Sequence, residues 1–170
     1  MMLSRLAYRT RQFWSALAGP HFRVDTEALL PHLSPPQIAL FCQMQTSEQV
    51  HGYQVLMRLQ ANGQTDPDLL AAALLHDVGK ILHPPTVLDR VVVVLGFHFF
   101  RRRAAGWSKG TPTGLRRPFV MAAHHPTWGA DLARQADASP RTVDLIRRHH
   151  DSLSTDDPLL AELQAADDAN

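Results

Sequence analysis

The chain has 170 residues, 45% of them apolar and 19% charged, which is enough for one hydrophobic core without disulfides and excludes a disordered or collagen-like polymer. A net charge of +1 lacks the basic excess of a phosphate-tracking surface, so no obligatory nucleic-acid partner is expected. The single cysteine, Cys42, cannot form an internal disulfide and is expected as a buried thiol in a reducing compartment.

At the amino terminus, Leu3, Leu6, Ala7, Trp14 and Leu17 recur at helical spacing, which predicts a first helix over about 3–18. Arginines are spread through this stretch and it lacks the apolar core of a secretory signal. The longest aliphatic run, at 91–100, is about half the roughly 20 residues a membrane span needs. The expected location is therefore cytoplasmic, with no membrane partner.

Four junctions then share one device, a capping side chain followed by proline: Ser34-Pro35, Asp66-Pro67, Ser139-Pro140 and Asp157-Pro158. Proline suits the first helical position because its missing N–H would be unpaired there, while Ser or Asp accepts from the exposed amides. Gln37 adds a capping-box partner for Ser34. Pro35 to Gln60 reads as one helix or two, since Thr46-Ser47 could restart it, and Asn62-Gly63 ends it. Pro67 to Val78 is apolar nearly all round, the mark of a central buried helix. The β-branched run at 87–100 has no second strand to pair with and is assigned to a helix. Residues 104–117, rich in Gly, Pro, Ser and Thr, are expected as a loop. Helices are expected again at about 118–124, 128–137, 140–150 and 158–168. The fold class is all-α, with an amino-terminal helical extension over 1–45 packing on a compact helical domain at 46–170.

Chemistry-bearing residues gather on these helices. LLHDVGK at 74–80 ends the buried helix with His76 and Asp77 side by side; His51 lies upstream, and HHP at 124–126, HHD at 149–151 and the pair Asp167-Asp168 follow. On the last helix Leu160, Leu163 and Asp167 fall at i, i+3 and i+7, so Asp167 points with the core-facing stripe while Asp168 is turned about 100° away. An inward carboxylate needs a partner, and a metal ion is the natural one. Val143, Ile146, His149 and His150 share one side of their helix, so either histidine could reach the interior. Neutral imidazoles and carboxylates on several helices are the ligand types of a hydrolytic divalent-metal site. His21, His32, His83 and His98 lack such companions and receive no role, although His83 is close enough to LLHDVGK to support the site from behind.

The order His51, His76-Asp77, His125, His149 and Asp167 resembles the HD superfamily of metal-dependent phosphohydrolases, and LLHDVGK matches its central signature. HPTWGADLA at 125–133 is similar to the family's HP-x-x-GA element, and LIRRHHD followed by LLAELQAADDAN is similar to its closing helices. The resemblance covers about residues 47–168. It implies His51, His76, Asp77 and Asp167 as ligands of one metal, with Asp77 bridging to a second that His125 and His149 complete. His150 is implied as an additional ligand, as in the HD-GYP branch, but the GYP signature is absent and cyclic dinucleotide specificity is not carried over. His124 is set aside because the family's histidine directly precedes the proline.

The implied cofactors are divalent ions, two in number, with Fe or Mn foremost and Mg, Co, Ni or Zn admissible. Such a pair can activate a bridging hydroxide and stabilise a phosphoryl group during displacement. The expected substrate is a small phosphorylated molecule, a nucleotide above all, cleaved as a phosphomonoester or phosphodiester. Lys80, one turn beyond His76, is expected to hold a phosphate oxygen; Arg90 or the run Arg101, Arg102 and Arg103 is offered as a substrate guide. Two rival readings share the residues: an HD-fold di-iron oxygenase, and a regulatory nucleotide-binding HD module. A homo-oligomer is compatible with all three.

Overall fold

The computed structural model describes residues 24–100, 106–152 and 156–170, with backbone alone at 97 and 98. The expected first helix, His21 and Arg101 to Arg103 lie outside the described residues. Within them there are seven α-helices and no strand: α1 (Pro35–Phe41), α2 (Thr46–Ala61), α3 (Pro67–Leu75), α4 (Val87–Phe99), α5 (Arg117–Gln135), α6 (Pro140–Arg148) and α7 (Pro158–Asp168). Short 3₁₀ turns occupy Thr26–Leu29, Val78–Leu82 and Gly114–Arg116.

All four Ser/Asp-Pro junctions start helices. Asp66, Ser139 and Asp157 accept hydrogen bonds from the first-turn amides of α3, α6 and α7, and Gln37 Oε1 accepts from the Ser34 N–H at 3.1 Å. The stretch from Pro35 to Gln60 is two helices, separated at 42–45, and Gly63 closes the second with φ +82°, a conformation glycine adopts without strain.

Helix α3 is the centre. Leu69, Leu70, Ala71, Ala72, Ala73, Leu74 and Leu75 are all buried, and α2, α6 and α7 pack around them. Leu29, Leu33, Leu40, Phe41 and Met44 from the preceding segment join the same core. Helix α5 packs on α6 and on the 3₁₀ turn that follows α3, and α4 lies outside α5. None of the described helices is long and apolar enough to cross a membrane.

Three expectations are corrected. The two helices expected at 118–124 and 128–137 are a single helix, α5, running through Pro126. Proline there deletes one backbone hydrogen bond, and burial of Phe119, Val120, Met121, Ala130 and Ala133 along the same helix offsets that loss. Within the expected loop, Gly114–Arg116 is a 3₁₀ turn and residues 106–107 are helical. Cys42 is exposed rather than buried, because α1 turns Phe41 into the core and ends at the next residue.

Candidate metal centre

Two backbone approaches bring the polar residues together. Helix α2 crosses α3 at Gly52, where an added Cβ would stand 3.0 Å from the Leu74 carbonyl oxygen and 3.3 Å from that of Ala73. His51, the residue before it, is thereby set against His76, which caps α3; their ring centroids are 5.2 Å apart. Beyond Asp77 the 3₁₀ turn presses on α5 at Gly79, where a Cβ would lie 2.0 Å from the His125 carbonyl oxygen and 2.6 Å from the Gly129 nitrogen. The glycines of LLHDVGK and HPTWGADLA thus face each other as bare backbone.

The potential ligands form two groups, His51, His76 and Asp167 in one and His125, His149 and His150 in the other, each with its ligand atoms within 4.8 Å of one another. In the first, His51 Nε2 lies 2.8 Å and His76 Nε2 3.6 Å from Asp167 Oδ1. In the second, the His149 ring is 5.3 Å from His125 and 4.2 Å from His150. Asp77 stands between them, with Oδ2 3.6 Å from His76 Nε2 and Oδ1 3.2 Å from His125 Nε2. One oxygen faces each group, as a bridging carboxylate requires. His150 is exposed, whereas His51, His76, Asp77, His125 and His149 are buried.

The rings are oriented from behind. Nδ1 of His76, His125 and His149 donates to the backbone carbonyls of Ala73, Met121 and Ile146 at 2.9, 3.0 and 2.7 Å. Each Nε2 is then directed into the site, and these three buried nitrogens have no hydrogen-bond partner. Nδ1–H on a carbonyl with Nε2 left open is the arrangement that prepares imidazole for a metal. His149 Nε2 without a polar partner, and those of His76 and His125 facing only the Asp77 and Asp167 carboxylates at 3.2 to 3.6 Å, fit divalent cations as the missing partners.

Electrostatics agree. Burial pushes the His149 imidazole well below its usual range, helped by His150, His76 and His125, so it is neutral as a ligand must be. Burial also opposes charge on His76, but the Asp77 and Asp167 carboxylates outweigh it and raise His76 to about 9. Burial would raise both carboxyls, yet Lys80 and His76 hold Asp77, and His76 and His51 hold Asp167, far below the normal carboxylate range. Without metal, a proton on His76 supplies part of the positive charge the carboxylates need. This raised pKa stabilises the metal-free fold below the unfolded value of about 6.5 and ceases to do so as pH rises through about 9. Because a cation must displace that proton, Mn²⁺ affinity should climb about tenfold per pH unit from neutrality towards pH 9. Calorimetry at pH 7 in buffers of different ionisation enthalpy should show about one proton released; affinity flat across this range would refute the exchange.

Comparison with known proteins finds the HD domain over residues 49–169, more than half of the chain. The chain belongs to the HD-domain family. No curated protein and no solved structure matches it. The family is one of metal-dependent hydrolases, and the His and Asp groups of this HD domain are compatible with metal binding.

One residue of the HD site escaped the sequence reading. Glu48, buried at 4% exposure one turn before His51, accepts from Lys80 Nζ at 3.0 Å through one oxygen and from Arg90 Nη2 through the other. Lys80 Nζ also reaches Asp77 Oδ2 at 2.5 Å, and these carboxylates raise its pKa despite burial. Lys80 therefore lies at the site, paired with Glu48 and Asp77, while Arg90 pairs with the same Glu48 and with Ser47 Oγ at 3.1 Å. The available signal was spacing: Glu48 and His51 stand at i and i+3 on one helix face.

The remaining arginine pairs serve the surface. Arg117 bonds Asp89, Arg147 bonds Asp131, and Arg148 bonds Asp144 and Asp157. His124 is exposed, stacks on Trp128 and lies 3.2 Å from the Ser108 carbonyl, while His83 packs against the same tryptophan at 5.2 Å. Asp168 is exposed beside half-buried Asp167, as helical phase required.

Proposed function

We propose that this HD domain is a phosphohydrolase that cleaves a small phosphomonoester or phosphodiester, a nucleotide above all, at a two-ion centre. The observation that carries the reading is Asp77, whose two oxygens face separate ligand groups across one buried site. His51, His76 and Asp167 would hold one ion, His125 and His149 with exposed His150 the other, and Asp77 both. Bound divalent ions supply Lewis acidity towards phosphoryl oxygens and acidify water.

The chain's own residues supply orientation and charge. Backbone carbonyls behind His76, His125 and His149 keep the Nε2 atoms aimed inward, so ions are held without reorganisation. Lys80 carries a full positive charge at neutral pH and is partly exposed, placed to meet a phosphate oxygen beside Asp77. Glu48 restrains it on the opposite side. Fe and Mn are the foremost ions for this mixed imidazole and carboxylate set.

The test is metal analysis of purified protein alongside a hydrolysis screen over p-nitrophenyl phosphate, bis-p-nitrophenyl phosphate and nucleotides with Mn²⁺ or Fe²⁺. Metal-dependent release of phosphate or nitrophenol is expected. An iron-loaded protein that hydrolyses none of these and changes its spectrum with oxygen would replace this reading by the oxygenase.

A further inference from the structure

Helix α6 ends at Arg148, and the residues that follow it are His149 and His150, two of the three members of the second ligand group. A helix end leaves carbonyls short of partners; here the Asp151 N–H closes on the Arg148 carbonyl at 2.8 Å and the Ile146 carbonyl holds the His149 ring at 2.7 Å, both from within the same segment. Gln164 provides an outside hold. Buried in the middle of α7, it places Nε2 3.4 Å from the Arg148 carbonyl oxygen, 3.3 Å from that of His149 and 3.0 Å from that of Asp151. Three carbonyls around one atom identify it as the donor nitrogen, since an amide oxygen there would be repelled.

Two features separate this contact from ordinary packing. Gln164 Oε1 is buried without a hydrogen-bond partner. Burying that oxygen unpaired is costly, and the three carbonyls served by the nitrogen are what the position gains in return. The packing of α6 on α7 is in addition secured elsewhere, by Arg141 and Arg148 on Asp157, so the amide is not needed to join the helices. What it holds is the turn that presents His149. Gln164 also stands three residues before Asp167, on the ligand-bearing side of α7. One helix therefore carries a ligand of the first group and the clamp of the second.

We propose that Gln164 is a positioning residue for the second metal ion, acting through the backbone of His149 to set that group against Asp77. This rests on the two-ion reading above.

The test uses the full chain, stripped of metal and reloaded with Mn²⁺, comparing the unsubstituted protein with Gln164→Met, which keeps length and apolar bulk but removes the donor. The unsubstituted protein should bind two Mn²⁺ per chain with an exchange-coupled electron paramagnetic resonance signal. Gln164→Met should keep one ion at unchanged affinity, weaken the other about 10- to 100-fold and lose the coupled signal. Two ions at unchanged affinities in Gln164→Met would overturn the role. So would a metal-free Gln164→Met that fails to fold, because the amide would then be a structural strut. A single uncoupled ion in the unsubstituted protein would instead remove the two-ion reading, and this role with it.

Discussion

Asp77→Asn should leave the protein folded but deprive it of stable metal and, with it, of hydrolysis. Asp77 turns one oxygen towards each ligand group, at 3.6 Å from His76 Nε2 and 3.2 Å from His125 Nε2. An amide has the same shape but no charge, so it cannot bridge two cations. Lewis-acid stabilisation is worth several kcal/mol, and its loss should lower kcat/KM on the best substrate of the screen by at least about a thousandfold. The fold should survive because Lys80 keeps Glu48 and His76 keeps Asp167. Metal content by mass spectrometry and helicity by circular dichroism check both halves. Full occupancy in the variant would show that the bridge is assigned to the wrong residue.

Among the described glycines, Gly79 should be the least tolerant of alanine. The added methyl would stand 2.0 Å from the His125 carbonyl oxygen and 2.6 Å from the Gly129 nitrogen, and both are backbone atoms that no side-chain rotation can move. Overpacking of this kind costs about 3 kcal/mol or more, which for a chain of this size lowers Tm by roughly 10 °C. The displaced element is the one that carries His125, so metal affinity should fall together with stability. Gly106→Ala is the control: nothing lies within 4 Å of its Cβ position, and Tm should move by no more than about 2 °C. Equal melting temperatures for the two variants would mean that the turn and α5 are not in backbone contact.

Helix starts were legible in the sequence because their physics is local. Asp66, Ser139 and Asp157 satisfy amides within the next turn, and all four Ser/Asp-Pro junctions begin helices. The direction of Asp167 was legible for the same reason, since helical phase relative to Leu160 and Leu163 is a property of one segment. The family signature added the grouping of His51, His76, Asp77, His125 and His149, whose rings and carboxylates the structure brings into one place.

Other features depend on partners distant in sequence. Pro126 reads locally as a break, but packing along both flanks of α5 carries the helix through it. Glu48 reads as an ordinary first-turn acid until Lys80 and Arg90, 32 and 42 residues later, close on it. Gln164 reads as a polar residue on a helix until the carbonyls at the end of α6 surround its amide. By itself the sequence determined where the four capped helices begin and which way Asp167 faces, because capping and phase act within a turn or two, and the family signature named the side chains that could hold a metal. Tertiary structure alone decided that two backbones meet at Gly79 and Gly129 and that Glu48 restrains Lys80. Those are distances between segments, and close packing of the whole chain sets them.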